Sequence, residues 1–362
     1  MHAATLRDPL SSVEAQFVPA TGMIGTSLTD AGVQLLGQRR GLDGYLAAGK
    51  TMGIPILYPW ANRLGENTYD AEGKEVTLNP GANGVRVDPA GLPIHGVLAA
   101  YPGWRVTAQS GNELTAELDF GADPVLLASF PYPHALSLTA RLAERVLTLR
   151  TTVTPTGDTA VPLCFGFHPY LQLPGVPRTE WVIETPPLQQ LCLDQRGLPT
   201  GESDHRPAKT APLGEGTFDD GYDQVTEGAV FAASGGGRRL EVHFEQGYPA
   251  AQIFAPIAED VICFEPMPPP RRAPARRLPL CADWRVGDRG VLNPRLARTS
   301  RLVWFRPAAA DIESAAEIGR WVQQPITAAR IFRRPSISAN TACFHKSRNT
   351  GLMFPFPAAQ PI

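Results

Sequence analysis

Residues 135–142 and 146–155, ALSLTARL and VLTLRTTVTP, place an apolar or β-branched residue at every second position, with only a short AER turn segment between the two runs. A period of two puts all those side chains on one face of a strand, and the turn brings the two strands together as a hairpin. ELTAELDF (113–120), RRLEVHF (238–244) and AAQIFAP (250–256) carry the same pattern. Between the runs fall SGNE at 110, SGGG at 234 and EQGYP at 245, residue types suited to tight turns. With 36 Pro and 34 Gly in 362 residues, the chain is interrupted too often for long helices. No strand-helix-strand rhythm precedes residue 300, so the expected fold is all-β, an antiparallel β-sandwich.

Formal net charge is −2, which gives no general attraction to nucleic acid or to an anionic membrane. The N-terminal MHAATLRDPLSSVEA lacks a secretory apolar run, and no segment approaches the roughly 20 apolar residues of a membrane span, so a soluble cytoplasmic protein is expected. Cys164, Cys192, Cys263, Cys281 and Cys343 have no Cys-x-x-Cys spacing and read as unpaired thiols, not as a disulfide framework or zinc site.

Five stretches carry candidate chemistry. IPILYPWANRLGE (54–66) ends a strand-like run on Asn62 and Arg63, where the arginine is either a surface charge or a clamp for a substrate oxygen. In LPIHGVLAAYPGWRV (92–106), His95 precedes a glycine that permits close approach, and it reads as a structural or a binding histidine. FGFHPYLQL (165–173) sets His168 on extended backbone before Pro169, in the core or in a site. FDDGYDQV (218–225) gathers Asp219, Asp220 and Asp223 in what reads as a solvated turn, without the spacing of a calcium loop. VICFEP (261–266) buries Glu265 in an apolar strand, where desolvation raises a carboxyl pKa and suits it to proton transfer. His2, His134, His205 and His345 fall in loop-like or terminal stretches, and His243 in a strand; none draws a role.

The order ANR, HG with PGW, FHPYL, DDGY, FEPM resembles the aldose 1-epimerase (galactose mutarotase) family from about residue 30 to Met267. The resemblance implies the galactose mutarotase-like supersandwich and interconversion of the α and β anomers of a hexose. It implies His168 as the acid toward the ring oxygen and Glu265 as the base toward the anomeric hydroxyl. Arg63 and His95 would bind and polarise the sugar, with Asp219, or else Asp220, holding hydroxyls and Asn62 beside them. That chemistry needs no cofactor and no metal; the only partner it implies is a small sugar, with no nucleic acid and no membrane. Two other classes fit the same residues: a glycoside-active hydrolase or lyase using Glu265 with Asp219 or Asp220 as a carboxylate pair, and a non-catalytic carbohydrate-binding relative.

Past Met267 the composition changes. PPPRRAPARR holds four Pro and four Arg in ten residues and cannot pair within a central sheet. We expect a domain over 1–267 and a Pro/Arg-rich tail over 268–362, partly disordered, with a short helix near 311–324. The family's usual closing strand is missing from this reading. Back-translating 281–296 and shifting one nucleotide permits an Ala-Pro-Thr-Gly-Gly opening, an Ala-Phe-Ser-Ile-Arg-Val strand and a stop. The tail is then out of frame, leaving an exposed sheet edge, or else a genuine lineage-specific extension.

Overall fold

In the computed structural model, the described residues are 2–71, 73–159, 161–267 and 298–304, and they fall within one compact unit, Met1–Ser314. Among them the dominant sheet has nine antiparallel strands. Its order is Lys209–Pro212, Val182–Thr185, Ala229–Gly235, Arg238–Gln246, Arg298–Trp304, Val146–Pro155, His134–Ala143, Glu113–Asp119, Arg105–Gln109. A second sheet has five, ordered Pro199–Arg206, Leu188–Leu193, Phe218–Asp223, Ala250–Ala255, Cys263–Met267. A four-stranded N-terminal sheet runs through Ala4–Arg7, Val13–Val18, Ile24–Asp30 and Val33–Gln34.

The two large sheets face each other across a shared apolar core. Phe231 of the nine-stranded sheet lies 5.5 Å, ring to ring, from Phe264 of the five-stranded one, and both are fully buried. Ile253, Tyr222, Leu136, Leu149 and Val153 belong to the same core. Pleating then decides the rest: with Phe264 turned to the core, its neighbours Cys263 and Glu265 stand on the opposite face of that strand.

The predicted hairpin is present. His134–Ala143 pairs with Val146–Pro155 from His134↔Pro155 to Ala143↔Val146. Its two turn residues, Glu144 and Arg145, adopt φ of 55° and 62°, a geometry that side chains other than Gly and Asn resist. The buried carboxylate of Asp8 supports it, accepting the backbone N–H of Glu144 at 3.1 Å and of Arg145 at 2.6 Å.

Several expectations change. Residues 298–304, beyond the boundary drawn at Met267, form a strand between Val146–Pro155 and Arg238–Gln246, pairing with both. It lies inside the nine-stranded sheet, whereas among the described residues Cys263–Met267, which bears Glu265, stands at an edge of the five-stranded one. The proline-rich segment, the helix expected near 311–324 and the rest of the tail lie outside the described residues. FDDGYD is a strand, Phe218–Asp223, and not a turn, because pairing with Ala250–Ala255 outweighs the low strand propensity of Asp and Gly. Two helices, Gly41–Ala48 and Pro124–Ser129, escaped the sequence reading. Cys164 and Cys263 are buried and outside any disulfide, whereas Cys192 is disulfide-bonded and not the unpaired thiol expected. No helix of the described residues is long and apolar enough to cross a membrane.

Candidate active site

Strand register assembles one side of the site. Gln252 pairs with Glu265 and Phe254 with Cys263, while Gly221 pairs with Gln252 and Asp219 with Phe254. Asp219, Gly221, Gln252, Phe254, Cys263 and Glu265 thus share the face turned away from the nine-stranded sheet. Asp220, one residue out of phase, takes the other face, which decides between the two aspartates in favour of Asp219 as the one on the site's face.

His168 arrives on a separate stretch of backbone. Gly166–Phe167 pairs with Ile56–Leu57, the His168 N–H donates to the Pro55 carbonyl at 3.2 Å, and Leu171 and Ile262 exchange both backbone hydrogen bonds at 2.8 and 2.9 Å. Gly166 lies so close to this neighbour that a Cβ there would sit 2.3 Å from the Pro266 carbonyl oxygen. Two extended segments, 166–171 and 262–267, therefore run side by side. His168 Nε2 lies 3.3 Å from Glu265 Oε1.

Both groups are nearly sealed, at 5% and 2% exposure. Burial holds the Glu265 carboxyl well above the usual carboxylate range; Asp219 adds to the rise and Arg63 opposes it. Burial likewise holds the His168 imidazole well below its ordinary value, with His95 and Arg39 pushing the same way. Both shifts favour the uncharged forms, a glutamic acid beside a neutral imidazole. That pair contains the same number of protons as a carboxylate beside an imidazolium, so one proton can shift between the two without exchange with solvent.

Four buried side-chain atoms in this cluster have no hydrogen-bond partner: Glu265 Oε2, His168 Nδ1, His95 Nδ1 and Arg63 Nε. Unsatisfied polar atoms are few in folded proteins and are costly. Their convergence, with the His95 and His168 rings 5.6 Å apart, marks a place suited to a polar ligand. Burial, then Arg63 and Arg86, depress His95 to about 3, so it is neutral.

The rim is polar and linked. Gln252 donates to Asp219 Oδ1 at 2.7 Å and accepts from Asn62 Nδ2 at 3.3 Å. Arg63 Nη2 lies 4.0 Å from Asp219 Oδ2, and its Nε 3.4 Å from Asp88 Oδ2. The Asp219 side chain is 57% exposed and that of Arg63 20%, so the cluster opens to solvent on this side. All six residues anticipated from sequence, His168, Glu265, Arg63, His95, Asp219 and Asn62, fall in this one neighbourhood. Gln252 and Asp88 were missed; the visible sign of Gln252 was a lone amide inside the apolar run AAQIFAP.

His168 and Glu265 are in contact, with Nε2 and Oε1 3.3 Å apart. Cavities of about 770 Å³ beside Tyr101, Asp119 and Asp123, and of about 300 Å³ beside Arg39, Gln172 and Glu259, are lined by neither residue of the pair. Among the described residues no three His, Cys, Asp or Glu side chains group as metal ligands.

A sandwich carrying an imidazole and a buried carboxyl in contact, rimmed by arginine, amide and aspartate, has the groups that acid-base chemistry uses. Residues 17–280 match the model of the aldose 1-epimerase family, and the chain belongs to that family. Among curated proteins it is similar to an uncharacterized Escherichia coli K12 protein, YihR, at 25% identity over 148 residues, 40% of this chain and 44% of that protein. The match therefore spans less than half of that relative's length. Among solved structures, the Slr1438 protein of Synechocystis sp. PCC 6803 is similar at TM-score 0.66 and 22% identity, covering 84% of this chain and 94% of that one. A galactose 1-epimerase from Lactobacillus acidophilus NCFM gives TM-score 0.62 at 14% identity, covering 84% and 94%. These likenesses show the fold.

Proposed function

We propose that this chain interconverts the α and β anomers of a neutral hexose by opening and reclosing the pyranose ring. The observation that carries the proposal is the 3.3 Å contact between His168 Nε2 and Glu265 Oε1, set among buried polar atoms that lack partners.

Ring opening requires a proton to leave the anomeric hydroxyl and another to reach the ring oxygen as the C1–O5 bond breaks. The pair supplies both. Transfer of the Glu265 proton to His168 gives a carboxylate that removes the hydroxyl proton and an imidazolium that protonates O5. The open-chain aldehyde rotates about C1–C2, and the two residues exchange roles on closure. Each positioned acid or base contributes about 10²- to 10⁴-fold. Because the side chains now touch, a sugar entering from the Asp219–Arg63 side parts them, satisfying Glu265 Oε2 and the histidine nitrogens as it binds. Asp219, Gln252, Asn62 and Arg63 offer acceptors and donors for sugar hydroxyls.

Polarimetry of freshly dissolved α-D-glucose and α-D-galactose tests this. Decay of rotation accelerated in proportion to protein is expected; the buffer rate for these and other aldoses would refute the reading. Release of reducing ends from a glycoside would instead indicate Glu265 and Asp219 acting as a hydrolytic carboxylate pair.

A further inference from the structure

Arg63, on the rim, meets a neighbour at each nitrogen of its guanidinium. Asp88 Oδ2 lies 3.4 Å from Nε, the Gly197 carbonyl accepts from Nη1 at 3.4 Å, and Asp219 Oδ2 lies 4.0 Å from Nη2, beyond hydrogen-bonding distance. Gly197 belongs to the turn between Leu188–Leu193 and Pro199–Arg206, and a Cβ there would fall 2.3 Å from Nη1. Asp88 belongs to another turn. Its Oδ1 accepts the backbone N–H of Ala90 at 2.9 Å and of Leu92 at 3.0 Å, and its own N–H donates to the Leu92 carbonyl at 2.9 Å. Its side chain is 5% exposed. That turn runs straight into the site: Ile94 and Arg63 form an antiparallel bridge, the Leu64 N–H donates to the Pro93 carbonyl at 2.8 Å, and His95 follows.

The two oxygens of Asp88 thus have separate roles. Oδ1 closes the turn, and Oδ2 sets a negative charge against Nε. The contact at Nε is an ion pair without a hydrogen bond, so it acts through charge and distance. A carboxylate sunk this deep, in a turn tied down by its own second oxygen, is a fixed counter-charge, and an arginine held by fixed groups needs little reordering when a ligand binds. The guanidinium is planar. Holding Nε and Nη1 therefore sets the whole plane and turns Nη2 toward Asp219 and the open rim. We infer that Asp88 is a positioning residue for Arg63, holding its guanidinium so that Nη2 meets a hydroxyl of the bound sugar. Asp88 itself touches no reacting atom; it acts through Arg63.

The inference rests on the proposed sugar-binding role of Arg63, so its test has one arm that needs no turnover. In the full chain, Asp88→Asn keeps an oxygen for the N–H groups of Ala90 and Leu92 and turns an uncharged amide toward Nε; Asp88→Ala removes both. With ¹⁵N-arginine labelling, we expect Asp88→Asn to keep a near-native thermal midpoint while the Arg63 Nε–H loses order on the ps–ns timescale. Asp88→Ala should lose midpoint and order together. In mutarotation, Asp88→Asn should raise KM about 10-fold with kcat little changed, the mark of lost binding common to ground and transition states. The same change should add nothing in an Arg63→Ala background. An Arg63 Nε–H that stays rigid in Asp88→Asn, or a KM penalty that persists without Arg63, would overturn the inference. A wild-type chain that lacks mutarotation while Asp88→Asn still loosens Arg63 would sink the functional proposal and leave Asp88 as the residue that holds Arg63.

Discussion

The backbone N–H of His95 donates to the Asn62 carbonyl at 2.9 Å, and both residues hold left-handed backbone, at φ 60° and 58°. Two loops distant in sequence are thereby locked where each presents a site residue. Asn tolerates this conformation because its short amide bonds locally, and here its Oδ1 accepts the N–H of Arg63 at 2.9 Å.

Asn62→Ala should therefore cost about 1–2 kcal/mol of stability, the penalty for an ordinary side chain in left-handed backbone. Asn62→Gly should restore the thermal midpoint, but neither variant keeps the amide that contacts Gln252. KM for the sugar should rise in both. Equal midpoints for the Ala and Gly variants would contradict the strain argument.

Gly166 sits two residues before His168 and against the carbonyl of Pro266, which follows Glu265. Gly166→Ala must push the two segments apart and widen the His168–Glu265 gap. We expect a fall of at least about 100-fold in kcat, because a misplacement near 1 Å is enough for that. An Ala variant as active as wild type would show that the pair tolerates separation.

His134 is buried in the core, with Tyr58 donating to its Nε2 at 2.6 Å and its own Nδ1–H donating to the Tyr132 carbonyl at 2.5 Å. Burial lowers its pKa to about 4, below the unfolded value of roughly 6.5. The native state thus stays unprotonated where the unfolded chain binds a proton. Stability from this group is complete above pH 6.5, declines as pH falls toward about 4, and levels off below. At about 1.4 kcal/mol per pH unit, the loss over that window approaches ~3 kcal/mol. Urea unfolding from pH 7 to 4 should show a shallower decline for His134→Gln than for wild type; parallel curves would exclude the assignment.

How much of this was legible in the sequence depended on whether the determinant was local. The 135–155 hairpin could be read because alternation and a short turn are local signals, although the Asp8 carboxylate that supports the Glu144–Arg145 turn lies over 130 residues away. Glu265 stood out as one acid in an apolar strand. The motif order brought His168 to it, but the contact depends on two segments packing side by side. His134 was read as loop-like because the sequence shows one polar residue after PYP and not the Tyr58 hydroxyl waiting for it. Gln252 and Asp88 were missed for the same reason: their roles exist only in register and packing. The strand Arg298–Trp304 follows a segment whose prolines and arginines suggested that the sheet had ended.

The central claim is that His168 and Glu265 act as one proton-exchanging unit on a sugar ring. Polarimetry of α-D-galactose with His168→Ala, Glu265→Gln and the double variant, under saturating sugar, tests it most directly. We predict that each single substitution lowers kcat by about 10²-fold or more and that the double variant is scarcely slower than the worse single, as for residues acting together. Rapid mutarotation surviving in Glu265→Gln, or losses that simply multiply in the double variant, would contradict it.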